Sequence, residues 1–357
     1  MRLQVERNPA PVWFGALIPL MSILLTFLLT SGFVLAYGAN PFEAAYYFLL
    51  DPLSNPVRLI EVLVKTTPLL LTGVAVAFAF SGGYWNIGVE GQLYMGATAA
   101  TAIGLQMQDT PAWLALPLVI VSGILAGMGW ATLPALMKVW LKIDEVVTTL
   151  LLNYVAIFLV SAILNGPWRD PISQWPQSPE IAASAIFPRL IPRSRLHLGF
   201  ILALLVAIGV WYVLSRTSFG LKIKAVGFNM EAARFSGINV ERTLLAVALT
   251  SGGIAGLAGA SEVAGIHFHL IDSISPGYGY TGIIIATLGA LNPIGVSLAA
   301  LFIGLIDTGA QTVSRALGVP IYLGDVLQAT LLLVTLGMLL LQSYRITLRG
   351  RAGAPAE

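Results

Sequence analysis

The sequence predicts an all-α polytopic membrane protein of about ten transmembrane helices, with both termini on the inner side. Composition is the first reason. Of 357 residues, 57% are hydrophobic and only 10% are charged, whereas a soluble domain carries about 25% charged residues. A mean hydropathy of +0.84 agrees. Such a chain cannot clothe a water-facing surface, which excludes a soluble enzyme, a disordered scaffold and a nucleic-acid binder. The second reason is a series of apolar runs matching the roughly 20 residues that cross a bilayer core. The third is the Lys/Arg bias between alternate connections. There is no cysteine, hence no disulfide framework, thiolate metal site or Cys nucleophile.

The expected spans, in order, are Val12–Tyr37, Leu59–Phe80, Gln92–Leu105, Trp113–Leu136, Val146–Leu164, Leu196–Leu214, Thr243–Ile266, Tyr280–Leu291, Ile294–Val313 and Ile321–Leu341. The first exceeds the 7–15-residue apolar core of a secretory signal, so it reads as an uncleaved anchor. The third and eighth are short and begin in Gly-rich sequence, as tilted, broken or re-entrant segments do. With the N-terminus inside, twelve Lys/Arg fall on the inner side and seven on the outer. The whole chain reads as one transmembrane domain, with an inner N-tail (1–11), an outer loop (165–195), an inner loop (215–242) and an inner C-tail (342–357).

The outer loop contains six prolines together with Trp168 and Trp175. Pro removes helix hydrogen bonds, so this segment is a loop or short interfacial helix. It serves either as a plain loop with Trp in the headgroup belt or as a platform for an extracytoplasmic partner. In the inner loop, Asn229 is a suitable N-cap, Glu231 suits the first turn, and Ala232 and Ala233 favour helix. Gly237 is placed for a C-terminal stop. A helix of about two turns is marginal alone, and Met230, Phe235 and Ile238 beside Glu231 and Arg234 give it a face for docking. Lying on the membrane surface is the plainer alternative.

Two Gly-rich polar stretches interrupt apolar runs. The first spans residues 81–92, with Asn86, Glu90 and Gln92 as polar groups and Tyr84, Trp85 and nearby Tyr94 as aromatic ones. Non-helical backbone at membrane depth survives only where protein buries it or water lines it, and an ionisable residue there is a functional candidate by default. A cytoplasmic hairpin with Glu90 in water is the alternative, and depth decides between them. The second stretch, residues 275–282, holds Tyr278 and Tyr280. Its G-x-G-x-x-G match lacks the strand that a dinucleotide site requires. Paired interruptions point to a translocation pathway at a repeat interface. The glycines 252, 253, 256 and 259 give the seventh span a small-residue face for close helix packing. Glu61 and Lys65, four apart, are expected to neutralise each other, and Glu262, Asp307 and Asp325 to meet water near outer span ends. His267 and His269 lack the further ligands of a metal site. No G-x-x-x-x-G-K-[ST] occurs, so nucleotide hydrolysis would come from another chain.

The run Asn86-Ile87-Gly88-Val89-Glu90-Gly91-Gln92-Leu93-Tyr94-Met95-Gly96-Ala97 resembles permease subunits of ATP-binding-cassette importers. So do Gly220–Gly227 with Ala232-Ala233, and Asn292-Pro293-Ile294-Gly295. The branch is that of branched-chain amino acid, ribose-type sugar and nucleoside systems, and the first run is most like the larger permease of bacterial nucleoside (purine or simple sugar) importers. Tyr84-Trp85 departs from that pattern, which has a smaller apolar residue and Phe there. The resemblance extends from about residue 55 to residue 341. It implies two pseudo-repeated halves in the bacterial inner membrane, and alternating access for a nucleoside or related polar solute. The implied partners are a second permease (a heterodimer foremost), a cytoplasmic ATPase that binds the ATP and Mg, an extracytoplasmic binding lipoprotein and membrane lipid. This chain itself would bind no cofactor and catalyse no reaction. Asn229, Glu231, Ala232, Ala233, Arg234, Ser236 and Gly237 would form the coupling helix; Asn86, Glu90, Gln92, Tyr84, Trp85, Tyr94, Tyr278 and Tyr280 would line the pathway. The competing readings are an ion-coupled secondary transporter with broken-helix repeats and an intramembrane enzyme; the sparse acids near span ends disfavour the latter.

Overall fold

A backbone in hydrocarbon must satisfy its own hydrogen bonds, and every long apolar run of this chain does so as one helix. The computed structural model describes residues 2–7 and 12–349. From the N-terminus come β1 (Arg2–Arg7), α1 (Val12–Ala36), α2 (Pro41–Leu49), α3 (Asp51–Ser54) and α4 (Pro56–Ser81). Then follow α5 (Val89–Gly104), α6 (Ala112–Leu141), α7 (Glu145–Asn165), α8 (Leu198–Arg216), α9 (Ser218–Phe228) and α10 (Met230–Phe235). The last are α11 (Val240–Glu262), α12 (Tyr278–Leu288), α13 (Pro293–Leu317), α14 (Leu323–Ser343) and β2 (Tyr344–Arg349). Among the described residues, eight helices are long and apolar enough to cross a membrane. The two short spans expected from sequence are α5, of 16 residues, and α12, of 11; each starts two or three residues before its expected boundary.

The chain divides into two units, Phe48–Gly309 and Met1–Tyr47 with Ala310–Glu357. In the second, α1 packs on α14, and β1 pairs antiparallel with β2, Arg2 opposite Arg349. The expected inner tails, 1–11 and 342–357, lie partly outside the described residues; their described parts form this ribbon.

In the first unit α4 and α11 are central. Their apolar windows are 89% and 78% buried, against 22%, 22% and 28% for α6, α7 and α8, which leave most of their surface outside the packed core of this unit. The small-residue face of α11 explains how it is enclosed. A Cβ on Gly256 would strike the Gly123 carbonyl and the Gly127 backbone of α6, and one on Gly259 would strike Leu93 and Ala97 of α5. Close backbone approach replaces side-chain interdigitation along this seam. Beyond Glu262 the helix widens into a π turn, Val263–His267, which Phe268 ends at φ 63°.

The outer loop holds no further span, as its prolines predict. It is nevertheless built into the fold rather than draped over it. Ala182 N–H donates to the Gly104 carbonyl (3.0 Å), Phe187 N–H to Ala264 (2.8 Å) and Ile181 N–H to Phe268 (2.8 Å). Ile181, Ala185 and Phe187 are buried, while Trp175 is exposed. Two charge expectations are corrected. Glu61 pairs with Arg195 of this loop rather than with Lys65, because the folded chain brings a bidentate guanidinium closer than the same-helix amine. Glu262 is buried rather than water-facing, with His267 Nε2 at 3.8 Å.

Candidate functional site

The first Gly-rich stretch starts where α4 stops. Gly83 takes a left-handed φ of 70°, and most of the residues that follow, Tyr84, Asn86 and Gly88–Gln92, are buried. Side chains satisfy them instead. Asn86 Nδ2 donates to Gln92 Oε1 (3.0 Å) and Ser251 Oγ (2.9 Å). Its Oδ1 accepts from Gln92 Nε2 (3.1 Å) and from Gly88 N–H (3.0 Å). Ser251 Oγ passes the chain on to the Ala75 carbonyl (2.8 Å). One amide pair thereby ties α4, the loop, α5 and α11 together.

One face of α7 satisfies the rest. Trp85 N–H donates to the Glu145 carboxylate (3.4 Å), Ile87 N–H to Thr149 Oγ1 (3.2 Å) and Gly91 N–H to Asn153 Oδ1 (2.8 Å). Asn153 Nδ2 returns a bond to the Ile87 carbonyl (2.9 Å) and reaches Tyr280 Oη (3.3 Å). Glu145, itself buried, is neutralised by Lys138. Residues 145, 149 and 153 recur at one-turn spacing, so they share a face. That spacing of polar groups within an apolar run was the signal by which they could have been found; sequence reasoning passed over them, and over Ser251 and Ser275.

Glu90 joins the two interruptions. It stands in the first turn of α5, is buried, and its Oε2 accepts the Gly279 N–H at 2.6 Å. Beside it Ser275 Oγ accepts the Gly277 N–H (3.2 Å) and the Tyr278 N–H (2.9 Å). Glu90 therefore caps the N-terminus of α12, whose positive dipole end favours an anion. A Cβ on Gly279 would strike the Glu90 backbone, so the two short helices begin in direct contact. Glu90 is enclosed by protein rather than set in water, while Trp85 of the same stretch stays exposed.

The structure thus brings Asn86, Glu90 and Gln92 into one buried network, with Tyr94 donating to the Asp272 carbonyl (2.9 Å) at its edge. Tyr84 and Tyr278 are buried, Tyr280 is half-buried, and Trp85 is exposed, its ring 4.5 Å from that of Phe80. In this conformation Asn86, Glu90 and Gln92 spend their polar atoms on protein, and the rings of Tyr280 and Trp85 are the more open surfaces. Among the described residues no group of His, Asp and Glu could hold a metal ion.

The inner segment folds as its local signals predict, though shorter than Asn229–Gly237. Asn229 Oδ1 accepts from Ala232 N–H (2.9 Å) and opens α10, a helix of six residues. Gly237 stops it at φ 80°, with Ile238 N–H returning to the Ala233 carbonyl (3.0 Å). Ala232, Glu231, Arg234, Ser236 and Gly237 face outward, whereas Ala233 is buried against the protein. Arg234 pairs with Glu241 at 2.6 Å. Phe228 and Phe235 are 90% and 96% exposed. Behind them, Gly227 packs on Ser81 and Gly83, so this segment touches the start of the Asn86–Gln92 loop.

A family model for the permease component of branched-chain amino acid transport systems matches residues 58–336, the stretch that contains the two short helices, the buried network and α9–α10. The chain belongs to this family of permease components. It is similar to the glucose ABC transporter permease protein TsgB13 of Haloferax volcanii, 32% identical over all of this chain and 97% of the relative. It is also similar to the guanosine ABC transporter permease protein NupP of Bacillus subtilis, 34% identical over 89% of this chain and 92% of the relative. A second guanosine permease protein of that organism, NupQ, is 28% identical over 69% of this chain and 79% of the relative. This permease is therefore the multi-span membrane component of an ABC importer, a component that carries no ATPase of its own.

Proposed function

We propose that this permease component carries a nucleoside through the inner membrane by alternating access, driven by a partner ATPase. The observation that carries the reading is the junction of α5 and α12 over Glu90, with the half-buried Tyr280 ring held by Asn153 at its edge. Broken or short helices that meet end to end are where transporters place their solute sites, and an anchored aromatic ring offers a base a stacking surface. Asn86, Glu90 and Gln92 then act by holding the junction in shape, and Tyr280 and Trp85 by touching the solute. Similarity to guanosine permeases supports a nucleoside. Similarity to a glucose permease supports a sugar as the second reading.

Two pseudo-repeated halves, each contributing one short helix, suit this arrangement. So do termini on the inner side, where most Lys/Arg fall. Segment α9–α10 would seat the ATPase through Phe228, Ala232 and Phe235, a binding lipoprotein would meet the outer loop, and a second, non-identical permease would complete the pathway. The ion-coupled and enzymatic alternatives give way to family membership. Uptake by the complex in ATP-loaded proteoliposomes tests the cargo. Labelled guanosine should enter and unlabelled glucose should not compete; competition by glucose and none by nucleosides would reverse the assignment.

A further inference from the structure

Away from the Glu90 junction, the basic side of the first unit carries a cavity of about 420 Å³. Its walls are the end of α4 (Phe80, Ser81), the α8–α9 corner (Leu214, Lys224, Phe228) and the α12–α13 connection (Ala290–Pro293). A second, more apolar groove of about 280 Å³ runs between Leu204, Ile208 and Trp211 of α8 and Pro293, Ile294 and Ser297 of α13. Pro293 lines both, and Trp211 and Leu214 lie one turn apart on α8, so the two adjoin as the mouth and tail of a channel. Its mouth is cationic and its tail is not. Lys224 is exposed and has no ion-pair partner among the described residues. Arg216 lies over the Trp211 ring at 6.0 Å.

The α12–α13 connection forms one wall of the mouth. Ala290 and Leu291 both adopt left-handed φ, 50° and 57°. The pair lines the mouth and leads directly into the N-terminus of α13, where Asn292 Oδ1 accepts the Ile294 N–H (3.0 Å). A helix N-terminus and a free ammonium together favour an anion.

We propose that this channel binds an anionic phospholipid of the inner leaflet, with phosphate at Lys224 and the start of α13 and an acyl chain along Ile208, Trp211 and Ile294. Basic pockets between transmembrane helices on the inner side suit such headgroups. Phosphate alone would explain the mouth but leaves the apolar groove unfilled. The site touches α9, which leads into the partner-docking helix, and the end of α4, which leads into the Glu90 loop. A lipid seated there bridges those two elements.

The test uses the assembled importer in nanodiscs of phosphatidylcholine, doped with a phosphatidylglycerol bearing a photoreactive acyl chain. After irradiation, adducts are mapped by peptide mass spectrometry. The wild type should concentrate label on α8 and the start of α13, excess inorganic phosphate should not displace it, and a photoreactive phosphatidylcholine should label less. Lys224→Gln should reduce the anionic adduct about fivefold, the effect of one cation near an anionic lipid. Ser297→Trp, which fills the groove, should reduce adducts from both lipids. Equal labelling by the two lipids, or full labelling of Lys224→Gln, would overturn the site. Displacement by inorganic phosphate would reduce it to a phosphate site. The cysteine-free chain allows one more arm, in which Ile294→Cys is cross-linked: capture of the second permease would assign the groove to a subunit interface and likewise overturn the proposal.

Discussion

Glu90 is a buried carboxylate that accepts the Gly279 backbone N–H, and that sets what its replacement does. Glu90→Ala leaves the Gly279 N–H group without an acceptor in a dry site, at a cost of about 1–3 kcal/mol. The variant should melt earlier in detergent and lose uptake together, whereas Glu90→Gln keeps one acceptor oxygen and should recover part of both. An Ala variant with wild-type melting would show that α12 needs no cap. Gly279→Ala should damage transport at least as severely, since its Cβ meets the Glu90 backbone, which has no flexible end to yield. The composition of this site was legible in the sequence, because glycines and polar groups within an apolar run cannot be lipid-facing helix. Its connections were not. Gly279 lies 189 positions from Glu90, and Arg195 lies 134 from Glu61. No local periodicity encodes such pairs, which is why Lys65, one turn away, stood in for Arg195.

Among the elements, α10 and α11 make opposite demands. The cap Asn229 and the stop Gly237 are local chemistry and could be read directly, but which alanine faces outward depends on what α10 lies against. Ala233 points into the protein, so Ala233→Glu should lower the melting temperature of the permease itself as well as ATPase co-purification. Ala232→Glu and Phe235→Ser change only the outward face and should reduce co-purification with melting unchanged. If all three lowered melting equally, α10 would be a structural strap and not a docking element. For α11 the demand is space. Gly256→Leu forces a side chain into the α6 backbone and should destabilise by at least about 2 kcal/mol, in the range of overpacked cores. Gly129→Leu, with open space around it on α6, should be tolerated. Thermal unfolding in detergent distinguishes the two.

For the whole molecule, the prediction is one of sidedness. Single cysteines introduced into this cysteine-free chain should react with a membrane-impermeant maleimide from the outside at position 175, in the exposed outer loop. At positions 228 and 235 they should react only after the membrane is opened. Reversed labelling would invert the chain and remove the basis for a cytoplasmic partner at α10. Phe228 and Phe235 also have a consequence for the cell's accounting of subunits. Without a partner the permease leaves two aromatic rings bare at its surface, a feature that promotes association and recognition by quality-control machinery. The half-life of the chain should therefore rise with the supply of its ATPase, and Phe228→Ser with Phe235→Ser should make it long-lived and useless. The same two side chains would then limit this protein's abundance to the number of copies that have found a partner.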